Sequence, residues 1–396
     1  MNKDKIDDIV DALSDTFSKI ENTFLIKNNQ QLVKYLENPE QWKANQLKNQ
    51  KAYKSQLIKD ARQQLASLNA KAEKVFLLSY QEVAKDQIEI TEKEIVAKNI
   101  PNSLRKQIIA QQKINTEEMA KLVSNAYQTY TKTVNLVSAL STPSTLFDVV
   151  KDQMKKGINN GIKVAYSDGK EFSWKSYMEM NIRTTVHQEI TNQQVEVGSK
   201  IGQIFYLCDS FGDCAPDHAD YQGKLYYNEG VNIPNEVQAF IDGNNIMSMQ
   251  EVMNGDPFLT TRPNCRHNFH AISLEEAMGS SADEILKKEG LKFGDYEADN
   301  YSKVQEQRYN ERQIRKYKTQ VENNKQLGQT TGVKGILPST MANEKVKEYQ
   351  ARNRELAKAN PDVIKRNYER EKANIIVNDL GVRYKYKVVD GELERK

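Results

Sequence analysis

Between Glu40 and Ile100 the chain contains neither proline nor glycine. The two residues that most often end helices are absent from this whole run, which is rich in Lys, Gln, Glu, Ala and Leu. It predicts a long helix or helix pair from Pro39 to Ile100, punctuated by Pro101. Ile6, Ile9, Val10, Leu13, Phe17, Ile20 and Phe24 form one apolar face at helical spacing before it. Met119, Leu122, Val123, Ala126 and Tyr130 do the same within a segment from Thr116 to Leu140. From Met1 to Tyr130 there is no His and no Cys. Stripes of this kind form a core or a partner-binding face.

Beyond Leu140 the pattern changes. Thr142 and Pro143 start a helix that Gly157 stops. Asp168-Gly169 between two β-prone runs predicts a hairpin. Ser173 caps a helix from Trp174 to Gly198, with Arg183 and His187 four apart on one face. From 200 to 275, turn residues and aromatic pairs predict short strands and loops around a small core. Helix returns after about 280, and a linker separates this part from a last charged helix near Asn343 to Asn378. "RYKYKVV" predicts a short strand. The expected fold is α+β and predominantly α-helical, with long helical ends flanking a small mixed core. Three regions are expected: a helical 1–140, an α+β 141–280, and a basic helical 281–396.

The 396 residues carry a net charge of +3, unevenly placed. Residues 301–396 hold 22 Lys and Arg against 13 Asp and Glu, a net +9. The rest holds 35 against 41, a net −6. Arg308, Arg312 and Arg315, with Lys318, are the candidate phosphate contacts. The same pattern also describes a solvated helix surface. No apolar run is long enough to predict a membrane span, and the N-terminus does not predict a secretory signal. Three cysteines argue against a disulfide framework and suit a reducing compartment.

All three cysteines (208, 214, 265) and all four histidines (187, 218, 267, 270) lie between positions 187 and 270. The spacing is C-x5-C-x3-H from Cys208, then C-x-H-x2-H from Cys265. Four Cys and His ligands in two clusters suit structural zinc, with Cys214, His218, Cys265 and His267 the first candidates. Buried thiols and imidazoles stitching two turns by hydrogen bonds remain a second reading. An enzyme is a third: a metal-dependent nuclease on His218, His267 and His270, or a Cys nucleophile with a His base. There is no P-loop or dinucleotide fingerprint.

Four stretches occur in order: "GIKVAYSDGKEFSWKSYMEMNIRTTVHQ", "CAPDHADYQGKLYY", "RPNCRHNFHAISL" and "QEQRYNERQIRKYK". Together they resemble the phage minor capsid protein 2 family of tailed phages infecting Gram-positive bacteria. More distantly they are similar to the Mu-F-like head-morphogenesis proteins. The resemblance covers about 150 to 375, whereas 1–140 matches only in being helical. It implies a virion structural protein and no enzyme. It places the protein inside the head at the portal vertex, assembled in the host cytoplasm, with no membrane in the mature head. The partners it implies are the portal protein, phage genomic DNA and other head or internal virion proteins, with a multi-copy ring as a possible assembly. Arg183, His218, Gln222, Gly223, Cys265, Arg266 and His267 fall on the family's characteristic positions, and Arg308, Arg312 and Arg315 on its basic helix. In the broader group, paired Cys and His suggest metal. Here Cys208 and Cys214 are six apart and the last motif ends in His.

Overall fold

The computed structural model describes residues 3–33, 39–91, 102–139, 149–150, 152–154, 156, 161, 163–165, 169, 171–255, 258–331, 339–373, 386–389 and 392–395. It is 72% helical with a few short strands, the α+β, predominantly helical class that the sequence predicts. The chain forms two compact units, each collected from three stretches. A sheet unit comprises Met1–Ala12, Ala70–Gln112 and Glu179–Gln305; a helical unit comprises Leu13–Asn69, Lys113–Met178 and Glu306–Lys396.

Three helices open the chain: α1 (Lys3–Val33), α2 (Pro39–Thr91) and α3 (Asn102–Ser138). In the helical unit, Leu13, Phe17, Ile20 and Phe24 of α1 are buried, as are Met119, Leu122, Val123, Ala126 and Tyr130 of α3. The side chains of Ile6, Ile9 and Val10 lie outside the described residues, and so do residues 92–100. Helix α3 begins at Asn102, well before the segment that the apolar stripe marks from Thr116. Its first turns carry Leu104 and Ile108, both buried, among polar residues that mask the period.

This core is stitched by polar groups as well as packed. Asn28 Nδ2 donates to Ala126 O at 2.9 Å, and Trp42 Nε1 donates to Leu32 O at 2.7 Å. Tyr130 Oη donates to Gln46 Oε1 at 2.5 Å, and Gln46 Nε2 donates to Gln31 O at 2.9 Å. Each such bond is worth about 1 kcal/mol net, but an unmade one in a core costs more. The network therefore selects the helix pairing in which all its members meet.

The predicted hairpin is present. Strands β1 (Lys163–Ala165) and β2 (Glu171–Ser173) pair antiparallel around Gly169, whose φ of 82° is a glycine conformation. Asp168 and most of 142–160 lie outside the described residues; 149–150, 152–154 and 156 are helical. Helix α4 (Trp174–Ile201) follows, and Ser173 Oγ caps it by accepting the Ser176 N–H at 3.2 Å. Trp174 packs edge-on to Phe17, centroids 5.3 Å apart.

The sheet unit is built on β3 (Phe205–Cys208), flanked by β5 (Leu225–Tyr227) and β6 (Phe269–Ile272), both antiparallel to it. All four residues of β3 are buried. Side chains alternate across a strand, so β3 feeds two cores. Phe205 and Leu207 pack with Ile272, with Val237 and Ile241 of α5 (Asn235–Gly243), and with Ala277 of α7 (Leu274–Gly279) and Ile285 and Leu286 of α8 (Ala282–Lys288). Tyr206 and Cys208 pack with Tyr226, Phe269 and Val252 of α6 (Met249–Asn254). A two-residue parallel pair, β4 (Ser210–Phe211) with β7 (Lys292–Phe293), forms a separate small sheet.

Helix α9 (Ala298–Thr331) leads back into the helical unit, followed by α10 (Thr340–Ala359). Tyr317 of α9 stacks on Tyr349 of α10 with centroids 6.0 Å apart. Helix α10 ends at Ala359, well short of the predicted Asn378. Asn360-Pro361 stops it, because proline disfavours helix at the residue before it and brings no N–H. The chain then turns back. Gln307 Nε2 donates to Lys365 O at 2.9 Å, Arg315 Nη1 donates to Arg370 O, and buried Glu371 accepts both arms of Arg366 at 2.7 and 2.8 Å. The predicted terminal strand is present as β8 (Tyr386–Val389), hairpinned to β9 (Glu392–Arg395).

Helix α4 can be probed at two positions within the sheet unit. A Cβ on Gly198 would stand 1.8 Å from the Tyr206 hydroxyl, which donates to Gln194 O at 3.2 Å. Gly198→Ala gains about 1 kcal/mol of helix propensity yet lowers stability by roughly 1–3 kcal/mol through overpacking. Adding Tyr206→Phe restores most of the loss in thermal melts. Burial raises the Glu189 carboxyl pKa against the Gln193 hydrogen bond, and its Oε2 has no hydrogen-bond partner among the described residues. A raised carboxylate pKa costs stability above it, where the unfolded chain ionises more freely. Glu189→Gln therefore raises Tm at pH 7, and the gain vanishes as pH falls below the usual carboxylate range.

Candidate metal centre

The β5-β3-β6 register brings the two Cys/His stretches together at one end of the sheet. After β3, Asp209 N–H donates to Asn268 O at 3.2 Å, and Gly223 N–H donates to Asp209 O at 3.3 Å. His267 and Gln222, one residue farther out on the flanking segments, thus reach the same edge. Pro216 opens a single 3-10 turn, Pro216–His218, that presents His218 inward. The His218 carbonyl then accepts the Gln222 N–H at 3.1 Å.

The loop before β6 is strained. Phe258, Thr260 and Asn264 all have positive φ, at 58°, 68° and 64°. Asparagine tolerates this region; a β-branched threonine does so only where its surroundings enforce it. The conformation aims the Thr260 N–H at Cys265 Sγ, 3.2 Å away. An ion pair between Arg262 and Asp217 joins this loop to the 3-10 turn at the surface. Both partners are more than 40% exposed, so the pair contributes at most about 1 kcal/mol.

His218, Cys265 and His267 converge, at 2%, 6% and 2% exposure. His218 Nδ1 lies 3.4 Å from His267 Nδ1; Cys265 Sγ lies 3.6 Å from the first and 3.5 Å from the second. One sulfur and two imidazole nitrogens are a borderline-soft donor set. The fourth residue expected from spacing, Cys214, is buried but is not in this group. His270 is not in it either, facing Asp209 Oδ2 at 3.5 Å instead. Arg183 and His187 are buried in α4, and Cys208 is buried in β3.

Gln222 orients the group. Its Oε1 accepts the Phe211 N–H at 2.8 Å and its Nε2 donates to the Phe211 carbonyl at 3.2 Å, so the amide cannot be flipped. His267 Nε2 meets that same Oε1 at 3.0 Å and must therefore donate. This leaves the Nδ1 lone pair of a neutral His267 directed at the cluster. The sequence marked Gln222 through the resemblance alone; the roles of Phe211 and Thr260, which act through backbone groups, carry no side-chain signature. Gly223, with φ of 69° and the Leu286 side chain 3.3 Å from where a Cβ would sit, is the turn that frees Gln222 from β5. Arg266 offers its carbonyl to Asn268 Nδ2 at 3.2 Å.

Burial pushes the Cys265 thiol up to about 12, against N–H groups of His267 and Thr260 that favour the thiolate. Burial likewise pushes Cys214 up to about 11 and Cys208 well above its ordinary value. Without a bound cation these are protonated thiols at neutral pH, which suits neither a nucleophile nor a redox pair.

The basic residues singled out on α9 separate. Arg308 ion-pairs with buried Glu311 at 3.7 Å, and Lys318 is half-buried, which lowers its pKa. Arg312 and Arg315 instead line a cleft of about 380 Å³ in the helical unit.

Gln222→Leu would orphan the Phe211 N–H and His267 Nε2, while the Phe211 carbonyl keeps the Cys214 N–H at 3.3 Å. A loss of about 2–6 kcal/mol is expected in urea unfolding of the full chain, at about 1–3 kcal/mol for each of the two buried orphans. A loss under about 1 kcal/mol would show that these bonds do not hold the site.

A family model for Phage minor capsid protein 2 matches residues 1–359. It takes in residues 1–140, which the motif resemblance left outside. No curated protein and no solved structure matches the chain. Among the described residues no helix is long and apolar enough to cross a membrane. With only 360–396 outside the match, the chain belongs to the phage minor capsid protein 2 family and is a structural component of the virion.

Proposed function

We propose that this virion protein sits at the portal vertex inside the head and touches both the portal protein and the packaged DNA. There it aids head assembly, packaging or genome ejection beside other head proteins. A ring of several copies, put together in the host cytoplasm, suits that place. The role is structural, with no catalytic residue in the Cys/His cluster.

The observation that carries the DNA contact is the cleft of the helical unit. Arg312, Arg315 and Lys316 of α9 line it with Lys163 of β1 and Lys372, against the carboxylates of Glu21 and Glu171. Five cations to two anions make a positive hollow of a size to admit phosphate groups. Backbone phosphates are held this way without any reading of sequence, as a protein meeting a whole genome requires. Residues 301–396, which supply four of the cleft's five cations, carry a net +9.

Filter binding of the full chain to mixed-sequence duplex DNA is expected to weaken linearly on a log–log plot against salt. Arg312→Glu with Lys316→Glu should reduce the slope by about 2, one unit per lost phosphate contact. An unchanged slope would remove the cleft from the reading. Failure of the protein to co-purify with portal from proheads would remove the portal vertex.

A further inference from the structure

We propose that His218, Cys265 and His267 bind one zinc ion through Nδ1, Sγ and Nδ1, with a non-protein ligand such as water in the fourth position. The proposal differs from the four-residue set that spacing suggests, because it leaves Cys214 out. It does not depend on the portal reading.

The first support is metric. Tetrahedral zinc holds nitrogen at about 2.1 Å and sulfur at about 2.3 Å, which sets ligand separations of about 3.4 Å for N···N and about 3.6 Å for S···N. The three separations here are 3.4, 3.6 and 3.5 Å. One point in space therefore lies at bonding distance from all three atoms.

The second is the proton inventory. In a neutral His267 the one ring proton sits on Nε2, which donates to Gln222 Oε1, and Nδ1 carries none. At most two protons, on Cys265 Sγ and His218 Nδ1, are left for three edges. Hydrogen bonding therefore leaves at least one edge of the buried triangle unbridged, whereas a cation takes up all three lone pairs at once.

The third is the surrounding shell. Ligating histidines usually donate their other N–H to a fixed acceptor, and the Gln222 amide is one, itself locked on the Phe211 backbone. The left-handed Thr260 directs an N–H at the sulfur, as suits a thiolate. Strained non-glycine backbone clusters where a site enforces it. The ion would join the 3-10 turn to the loop before β6, two segments far apart in the sequence, so its binding energy would stabilise the fold.

The test uses the full chain purified from zinc-replete cells. Elemental analysis is expected to give about one equivalent of zinc, which Cys265→Ser and His267→Ala lose and Cys214→Ser keeps. X-ray absorption should show one sulfur and two imidazole nitrogens with one further light atom. If the ligand variants fail to fold, cobalt substitution of the wild type decides, with visible bands of a four-coordinate ion bearing a single thiolate expected. Folded wild type free of metal overturns the proposal. So does a second sulfur in the shell with zinc lost in Cys214→Ser, and so does stoichiometric copper in place of zinc.

Discussion

Strand β3 has no solvent face, and much of the sheet unit follows from that. Four residues, Phe205 to Cys208, must satisfy their backbone on both sides and their side chains above and below. Two flanking antiparallel strands meet the first demand, and two separate hydrophobic clusters meet the second. Sliding either flank by one residue would exchange the clusters' contents and expose aromatic rings. The register is therefore strongly specified. The same register brings His218, Cys265 and His267 within reach of one another, although the first is 47 positions from the second. The precision of the site is inherited from the core rather than made locally.

Helix was the most legible property of the chain, since the absence of proline and glycine and a period near 3.6 leave little else to choose. The hairpin at Gly169 and the Ser173 cap were legible because both depend on the local chemistry of one or two residues. What failed did so at boundaries and across distance. Asn360-Pro361 ends α10, but a long charged pattern on both sides concealed the stop. The cysteines and histidines were visible as a crowd, yet composition could not say which members converge. Cys214 and Cys265 look alike in the sequence; only the turn geometry separates a sulfur that meets two imidazoles from one that is buried but outside the group. Each compact unit draws on three separate stretches, a division that no local pattern encodes.

The helical unit raises a different problem. Long amphipathic helices with similar stripes pair in many alternative registers at little difference in hydrophobic energy. Asn28, Gln46 and Tyr130 break that degeneracy, since their side chains bond well in one arrangement and are orphaned in the others. A virion component must hold one shape through assembly, and buried amides supply that selectivity where apolar packing alone does not.

The family match stops at residue 359, which is also where α10 stops. The returning segment after Pro361 is bound to α9 through Gln307 and Arg315, and it delivers Lys372 and Ala373 to the rim of the basic cleft. Part of that rim thus lies beyond the matched framework. Exchange of this short appendage alone would change the charge at the rim of the cleft while the helices beneath it stayed as they are.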